Sequence, residues 1–195
     1  MPERFNIAPT NRAAIVHQVD GGQVLARMAF GLIPSWSREP KSGFATFNAR
    51  VETASTKPAF RSAWRARHAA VPMTGYFEWV GEGKAKQPWF LSAPDGEPIW
   101  AAAIWEHWER EGADPIDTFA VLTEPAMGVA KDVHDRMPVL LTPDLVPDWL
   151  STGAQDGAAL LQARQAPALR VHPVSRDVGN VRNDGPALIE AAWPS

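Results

Sequence analysis

The sequence of 195 residues is 45% hydrophobic, carries a formal net charge of −3 at pH 7 and contains no cysteine. This length and composition predict one globular domain with a substantial core, and the lack of cysteine excludes disulfides, thiolate zinc sites and a cysteine nucleophile within this sequence. No apolar run approaches the roughly 20 residues that span a bilayer, and the first residues form no apolar signal segment, so we expect a cytoplasmic protein with no membrane partner.

Alternating and continuous apolar segments predict strands in both halves of the chain. We expect them at residues 13–19, 23–30, 71–80, 87–92, 99–105, 118–123 and 139–141. Asp20-Gly21-Gly22 predicts a β-hairpin between the first two strands. Pro94-Asp95-Gly96 predicts a second hairpin between the strands at 87–92 and 99–105.

Helices are expected to be fewer. Thr56-Lys57-Pro58 is typical of a helix start, with a capping threonine and an early proline. Thr142-Pro143-Asp144 predicts a helix that runs to Leu150, and a third helix is expected at residues 156–165. Because strands and helices do not alternate as parallel βαβ units require, the sequence predicts an α+β fold with a curled or barrel-like antiparallel sheet.

Positive charge is concentrated in one part of the chain. Between Pro34 and His68 there are seven basic and two acidic residues, a net charge of +5 on a chain whose total is −3. A basic segment on a weakly acidic chain indicates an anion-binding face. A solvated helix face at residues 58–67 is the alternative explanation for some of these charges.

Trp36 differs from most of the nine tryptophans because it lies in a polar loop rich in proline, serine and glycine. Most tryptophans belong to a core, but this setting predicts an exposed ring. An exposed aromatic ring beside arginines is typical of proteins that stack unpaired bases. Packing within the protein is the alternative.

His134 lies between two aspartates, just before Arg136 and an apolar strand. A residue at the mouth of a strand can face a cleft, and a carboxylate neighbour would orient the imidazole, which moves protons near neutral pH. The alternative is a surface turn with a solvated His–Asp pair.

Glu78 is the one carboxylate in the aromatic segment Gly75-Tyr76-Phe77-Glu78-Trp79. In a strand it would share a face with Tyr76 and Val80, so burial would raise its pKa. A raised carboxyl pKa suits a general acid near pH 7. The alternative is an edge-strand residue that faces water.

Other polar residues follow apolar runs or lie in turns. Asn48 and Arg50 follow an apolar run, and the turn-rich segments 172–176 and 179–185 carry amides and arginines that could bind phosphates or simply be solvated. The sequence contains no Gly-rich phosphate loop, zinc-binding helix motif or Gly-x-Ser-x-Gly elbow. Its histidines are scattered, so we expect neither a metal site nor a cofactor.

Several segments, in the order in which they occur, resemble motifs of the SOS response-associated peptidase (SRAP) family. They are Arg4-Phe5-Asn6-Ile7-Ala8-Pro9, Gly31-Leu32-Ile33-Pro34-Ser35-Trp36, Asn48-Ala49-Arg50-Val51-Glu52-Thr53, Gly75-Tyr76-Phe77-Glu78-Trp79, His134-Asp135-Arg136-Met137-Pro138, and His172-Pro173-Val174-Ser175 followed by Asn180-Val181-Arg182-Asn183. The resemblance implies a single α+β domain over residues 1–195, built round an open antiparallel β-barrel flanked by a few helices. It also implies a role at abasic sites in single-stranded DNA, where members form a covalent DNA–protein crosslink, and hence association with the nucleoid.

The resemblance implies roles for individual residues. Asn48 would hold the reacting group, Glu78 would protonate the deoxyribose ring oxygen, and His134 would shuttle protons as a Schiff base forms. Trp36 would stack on a base next to the lesion. The remaining predicted DNA ligands are Arg50, Arg136 and Arg182.

One departure from the family pattern concerns the nucleophile. The family's cysteine follows the initiator methionine, whereas Pro2 follows Met1 here, and the segment expected before Arg4 is absent. The sequence therefore predicts either a truncated start or a thiol-free relative. We expect no crosslink that survives denaturation. An iminium formed by the Pro2 amine is a weaker alternative, with little or no trapping by borohydride.

Three functions remain compatible with these residues. The first is an abasic-site processing enzyme, the second a pseudoenzyme that binds single-stranded DNA without covalent chemistry, and the third, less favoured, a peptidase. The sequence indicates no particular protein partner.

Overall fold

Two β-sheets form the framework of the protein, for which a computed structural model describes residues 3–40, 46–83 and 86–193. The strands are β1 (Arg12–Val19), β2 (Gly22–Phe30), β3 (Asn48–Arg50), β4 (His68–Met73), β5 (Tyr76–Val80), β6 (Gln87–Ser92), β7 (Ile99–Trp108), β8 (Ile116–Pro125), β9 (Arg136–Pro138), β10 (Leu140–Leu141) and β11 (Arg170–Pro173). The α-helices are α1 (Val51–Ala54), α2 (Arg61–Ala66), α3 (Val146–Ser151) and α4 (Ala154–Ala163).

The larger sheet closes into a barrel. Strand β1 pairs antiparallel with β2 and β4, β4 pairs antiparallel with β7, and β7 pairs antiparallel with β8. Residues Ala29 and Phe30 of β2 then pair parallel with Thr118 and Phe119 of β8 and complete the ring. The predicted α+β barrel with a few helices is confirmed. The parallel pairing arises because a closed ring with an odd number of strands cannot be antiparallel throughout.

Short strands extend the edges of β8 at its C-terminal end. Strand β3 pairs parallel with it, with Arg50 beside Thr123. Strand β9 pairs antiparallel along the other edge, with Pro138 beside the same Thr123. The segments that carry Asn48 and Arg136 therefore flank the same end of one barrel strand.

Apolar side chains fill the barrel and also cover its outer wall. Ile15, Met28 and Phe119 are buried in the interior cluster. Trp64 from α2 and Trp149 from α3 belong to a second buried cluster under the helices. Because the barrel wall is buried on both faces, β7 is hydrophobic along most of its length rather than alternating.

The smaller sheet has the strand order β11-β6-β5 and packs against the barrel. Phe77 and Phe90 lie on one face, over the cluster that includes Val178 and Leu188. Tyr76 and Trp89 lie on the opposite face and pack against the barrel cluster. Glu78 lies between these two layers because it shares the barrel-facing side with Tyr76.

The single strand predicted over residues 71–80 is wrong. Strand β4 ends at Met73 in the barrel, and β5 begins at Tyr76 in the smaller sheet. The chain changes sheets at Gly75, whose backbone passes close to the Leu91 carbonyl and the Phe90 ring. Apolar periodicity alone does not reveal a change of sheet, since both strands are hydrophobic.

The two predicted hairpins have different outcomes. The first is confirmed, with β1 and β2 paired along their length and positive φ angles of 49° at Asp20 and 80° at Gly21. The second is wrong, because β6 pairs with β5 and β11 whereas β7 pairs with β4, β8 and β10. The turn containing Gly96 connects the two sheets rather than two neighbouring strands.

The predicted helix start at Thr56 is also wrong. The Thr56 hydroxyl donates to the Thr53 carbonyl at 3.1 Å instead of capping a helix, and α2 begins at Arg61 after a series of turns. The other two predicted helices are confirmed as a 3₁₀ turn at Pro143–Leu145 continued by α3, and as α4. None of the helices in the described part of the chain has the length and hydrophobicity to span a bilayer.

The segment around Asn6 is tied to a loop near the other end of the described chain. The buried Asn6 side-chain amide lies 3.0 Å from the Val178 carbonyl oxygen, and also donates to the carbonyls of Asn180 and Asn183. The Phe5 backbone N–H donates to Asp184 at 2.6 Å, and Arg4 pairs with the same carboxylate. The two segments therefore stabilise each other.

Candidate functional site

The seam between the barrel and the smaller sheet brings Glu78 and His134 together. Glu78 lies on β5 and faces the barrel. His134 follows the 3₁₀ helix at Gly128–Asp132 and precedes β9, and the neighbouring Val133 belongs to the barrel cluster against which Tyr76 also packs. The two side chains are close enough for the charge on His134 to affect the proton affinity of Glu78.

Burial raises the pKa of the Glu78 carboxyl group above its ordinary value. The charge on His134 partly opposes this effect, and the charge on Asp135 adds to it. Strand β5 is an edge strand, but Glu78 is half-buried rather than open to water. The arrangement therefore favours a protonated carboxyl group that can act as an acid.

His134 is held by the backbone of its own turn. The backbone nitrogen of Arg136 lies 2.9 Å from Nδ1 of His134. Nδ1 also lies 3.1 Å from the Arg136 carbonyl oxygen and 3.1 Å from an Asp135 carboxylate oxygen, so whether it donates or accepts depends on which ring nitrogen carries the proton. The ring is 42% exposed, and Nε2 has no hydrogen-bond partner among the described residues, which leaves it available to a ligand.

Arg136 connects this turn to helix α1. Its Nη1 and Nη2 atoms lie 2.6 and 2.9 Å from the two carboxylate oxygens of Glu52, a bidentate ion pair. Nη2 also donates to the Thr123 carbonyl at 2.6 Å. The guanidinium is thus bound within the protein, and the predicted contact between Arg136 and DNA remains a prediction.

Asn48 and Arg50 are both exposed on β3, while the intervening Ala49 is buried. Ala49 and its register partner Leu122 pack in the outer cluster under the helices, so the side chains of Asn48 and Arg50 lie on the opposite face of the sheet, the face of Val121 in the barrel cluster. The charge on Arg50 contributes to the lowered pKa of Glu52. No contact joins Asn48 to Glu78 or His134 within the described residues, so its predicted role remains a prediction.

Trp36 is exposed, with 62% of its surface open to solvent. Its indole N–H donates to the Pro58 carbonyl at 3.3 Å, so the ring lies against the turns that lead into α2. The indole N–H of Trp108 donates to the Ser37 carbonyl at 2.9 Å and holds the same loop on the barrel. The ring is therefore exposed on a loop that two indole hydrogen bonds anchor, and its predicted stacking on a base remains a prediction.

The arginines of the basic segment between Pro34 and His68 have different surroundings. Arg67 pairs with the buried Glu106 at 2.5 Å, so its charge is neutralised within the protein. Arg61 and Arg65 are exposed on α2 and line a cleft of about 660 Å³ between α1, α2 and α4. The alternative that residues 58–67 form only a solvated helix face therefore holds for α2 in part. Arg61 and Arg65 are exposed, but they also border a concave surface.

Arg182 lies in the loop whose Asn180 and Asn183 carbonyls bind the Asn6 side chain. It is exposed in the turn after Asn180, whose side chain accepts a hydrogen bond from the Arg182 backbone N–H at 3.1 Å. Nothing in the described part of the chain connects it directly to Glu78. Residues 3–40, 46–83 and 86–193 also contain no group of His, Asp and Glu side chains arranged to hold a metal ion.

The sequence did not reveal the role of Glu52. It lies in the Asn48–Thr53 motif, but its partner Arg136 is 84 positions away. The sequence shows only that Glu52 follows the polar residues Asn48 and Arg50. The pairing of β3 and β9 with β8 is what identifies Arg136 as the partner of Glu52.

Replacing Glu52 with glutamine is expected to lower the free energy of unfolding by about 1 kcal/mol at pH 7, since the pair is partly exposed. The ion pair lowers the pKa of Glu52, so its stabilisation is present above the ordinary carboxyl pKa and is lost as pH falls through the folded-state value. Urea unfolding at pH 7 and pH 3 measures this difference. Glu190→Gln, which removes a carboxylate without an ion pair to a described residue, is the control. Equal effects of the two variants at pH 7 would contradict the prediction.

Comparison with known proteins agrees with this architecture. The family model described as SOS response associated peptidase (SRAP) matches residues 1–181. The chain is 35% identical over 191 residues to the abasic site processing protein YedK of Escherichia coli, covering 96% of this chain and 84% of that protein. It is 30% identical to YoqW of Bacillus subtilis, also named an abasic site processing protein, covering 96% and 85%.

Solved structures show the same fold. A protein from Bacteroides thetaiotaomicron superposes with a TM-score of 0.79 at 26% identity, covering 94% of this chain and 82% of that one. A protein from Bordetella bronchiseptica superposes with a TM-score of 0.77 at 27% identity, covering 87% and 86%. The barrel and the smaller sheet are therefore shared with experimentally determined structures.

Proposed function

The chain belongs to the SOS response associated peptidase (SRAP) family, and on this basis we propose that it processes abasic sites in single-stranded DNA. The observation that carries the proposal is the half-buried Glu78 carboxyl group beside His134. The names of the similar proteins from Escherichia coli and Bacillus subtilis support it. A cytoplasmic, nucleoid-associated location is part of the same proposal.

The chemistry begins with opening of the abasic sugar. Glu78 gives its proton to the ring oxygen as the bond between that oxygen and C1′ breaks, and the proton of the C1′ hydroxyl passes to solvent. An aldehyde remains at C1′, and His134 lies beside Glu78 to move the protons of a later addition to it. Arg50 and Trp36 bind the neighbouring phosphate and base.

A covalent adduct requires a nucleophile in addition to this pair. The chain has no cysteine, so a thiazolidine cannot form from its own residues. Pro2, whose amine is the alternative nucleophile considered from the sequence, lies outside the described residues. The second candidate function is that the protein binds lesion-bearing single strands without a permanent crosslink.

Peptidase activity is the third and least favoured proposal. His134 contacts Asp135 and the backbone of Arg136, and no serine hydroxyl in the described part of the chain is hydrogen-bonded to it. A nucleophile next to a base is the arrangement that such hydrolysis requires.

Capture of the aldehyde tests the first proposal. A single-stranded oligonucleotide with one abasic site is incubated with the protein and an aldehyde-reactive hydroxylamine, and the rate of capture is measured. We expect acceleration by the unmodified protein and none by Glu78→Gln, with DNA binding retained by both. Binding without acceleration would support the non-covalent alternative, and equal binding to intact and abasic strands would contradict lesion processing.

Trp36→Ala is expected to weaken binding to single-stranded DNA by about 1–3 kcal/mol, the range for one stacked base. Fluorescence anisotropy with a labelled oligonucleotide at two salt concentrations measures the loss. Trp193→Ala removes another exposed indole, which is 74% open to solvent, and serves as the control. If both variants bind equally well, Trp36 does not stack on DNA.

A further inference from the structure

Two enclosed polar atoms lie on the barrel-facing side of the smaller sheet. The Tyr76 hydroxyl and the Trp89 indole N–H are both shielded from solvent, and neither has a hydrogen-bond partner among the described residues. Both side chains pack against the barrel cluster. They therefore belong to the same seam as Glu78.

The strand register places the Tyr76 and Trp89 side chains next to Glu78 on one face of the smaller sheet. Tyr76 and Glu78 are two positions apart on β5, so their side chains share a face. Trp89 is directly opposite Glu78 on β6, and the Cβ atoms of such pairs are about 5 Å apart. The Tyr76 side chain is thus the neighbour of Glu78 along its own strand, and the Trp89 side chain is its neighbour across the sheet.

The Tyr76 hydroxyl remains protonated and is available as a donor. Burial raises the pKa of Tyr76 well above its ordinary value, and the charge on Glu78 raises it further. The Trp89 indole can only donate. Two buried donors without partners among the described residues, on the face of the sheet that carries Glu78, require an acceptor on that face.

Energetics favour a buried water as that oxygen. An unpaired hydroxyl or N–H in the interior costs about 1–3 kcal/mol, and proteins usually satisfy such groups with ordered water. A buried water needs two to four polar partners. Tyr76 and Trp89 supply two donors, and the ionised Glu78 carboxylate supplies an acceptor.

We propose that Tyr76 and Trp89 hold a water molecule against the carboxyl group of Glu78 and thereby determine how readily that group releases its proton. The water accepts from the indole N–H and the phenol O–H and donates to the ionised carboxylate. It therefore favours the ionised form and limits the effect of burial. His134 and Asp135 are the other titratable groups whose charges act on Glu78.

In this arrangement Tyr76 and Trp89 are positioning residues, because they act on the reaction through Glu78. The proposal deepens the proposed function, on which its catalytic consequence rests. The water site itself does not depend on that function, since it can be measured in the absence of DNA.

Tyr76→Phe and Trp89→Phe test the water site. Each variant removes one donor with little change in shape, and we expect each to raise the pKa of Glu78 further, as followed by ¹³C NMR of its carboxyl carbon. We expect Tyr76→Phe to lower the melting temperature by about 2–4 °C, which is what a loss near 1 kcal/mol produces in a chain of this size. A water-to-indole nuclear Overhauser effect at Trp89 in the unmodified protein is the direct observation.

Trp79→Phe is the matched control. Trp79 is adjacent to Glu78 on β5 but points to the other face of the sheet and is partly exposed. Removal of its indole N–H is expected to leave the pKa of Glu78 unchanged.

The outcomes separate this proposal from the proposed function. If Tyr76→Phe leaves the pKa of Glu78 unchanged and the melting temperature equal or higher, the hydroxyl has no partner and the water site is wrong. If the pKa shifts but aldehyde capture is the same in all variants, the water site stands and the role of Glu78 in catalysis fails. If the pKa of Glu78 rises and the acceleration of aldehyde capture by the Tyr76→Phe variant shifts to higher pH, the water site and the catalytic role of Glu78 are both supported.

Discussion

Gly75→Ala is expected to destabilise the protein by about 3 kcal/mol, the upper end of the 1–3 kcal/mol that overpacking usually costs. A Cβ atom at Gly75 would lie well inside 3.0 Å of both the Leu91 carbonyl oxygen and the Phe90 ring. The carbonyl cannot move aside easily, since Leu91 pairs with Tyr76 on one side and with Val171 on the other. Strand β5 would therefore shift, and Glu78 would move with it.

Urea unfolding measures this loss, and Gly179→Ala is the control. A Cβ at Gly179 would meet nothing within 4 Å, so that variant should be close to the unmodified protein in stability. We also expect Gly75→Ala, under conditions where it remains folded, to lose acceleration of aldehyde capture. Equal stabilities of the two alanine variants would show that the space around Gly75 can expand.

Arg164→Ala is expected to lower the free energy of unfolding by about 3–5 kcal/mol at pH 7, the usual cost of leaving a buried charge without its partner. Arg164 and Glu124 form an ion pair in which the side chains are only 5% and 12% exposed. The Arg164 Nε also donates to the Leu140 carbonyl at 2.8 Å. The substitution would leave the Glu124 carboxylate and the Leu140 carbonyl without this donor.

The effect of Arg164→Ala should depend on pH in a defined direction. Burial raises the pKa of Glu124 even with Arg164 present, so without the arginine the pKa should rise further. A raised folded-state pKa means that the folded protein binds the proton more tightly than the unfolded chain, so stability falls as pH rises through that value. The loss should therefore be largest at pH 7 and smaller at pH 4.

The double variant Arg164→Met, Glu124→Leu is the control for Arg164→Ala. Replacement of a buried ion pair by apolar residues of similar volume is often neutral or stabilising. We therefore expect the double variant to be more stable than Arg164→Ala and nearly independent of pH over this range. An Arg164→Ala variant with the same loss at both pH values would indicate lost packing rather than an unpaired carboxylate.

Local sequence patterns predicted those features that depend on a few neighbouring residues. The breaker-rich loop around Trp36 predicted its exposure, and alternation along β5 predicted that Glu78 shares a face with Tyr76. The hairpin at Asp20-Gly21 followed from turn chemistry that two residues determine. In each case the cause lies within a few positions of the effect.

Features that depend on distant residues were not predicted. The change of sheets at Gly75 depends on Leu91 and Phe90. Arg136 is bound within the protein because it pairs with Glu52. The parallel pairing of β2 with β8 follows from closure of the ring, which no single segment encodes. Roles for Asn48, Arg50 and Arg182 remain predictions from resemblance, since their side chains are exposed and lack described partners that would indicate a role.

The hydrogen bonds of Asn6 have a consequence for the time course of folding. The Asn6 amide and the Val178 carbonyl are separated by 172 positions, whereas the pairing that closes the barrel joins residues 30 and 119. At the usual 5–20 residues per second, a ribosome needs roughly 10–35 s between synthesis of Asn6 and of Val178. During that interval the barrel strands can already be present, while β5 and β6 still lack β11. All five strands of the barrel ring are therefore synthesised before the strand that completes the sheet carrying Glu78, and the β6 edge has no β11 to pair with until residues 170–173 have been synthesised.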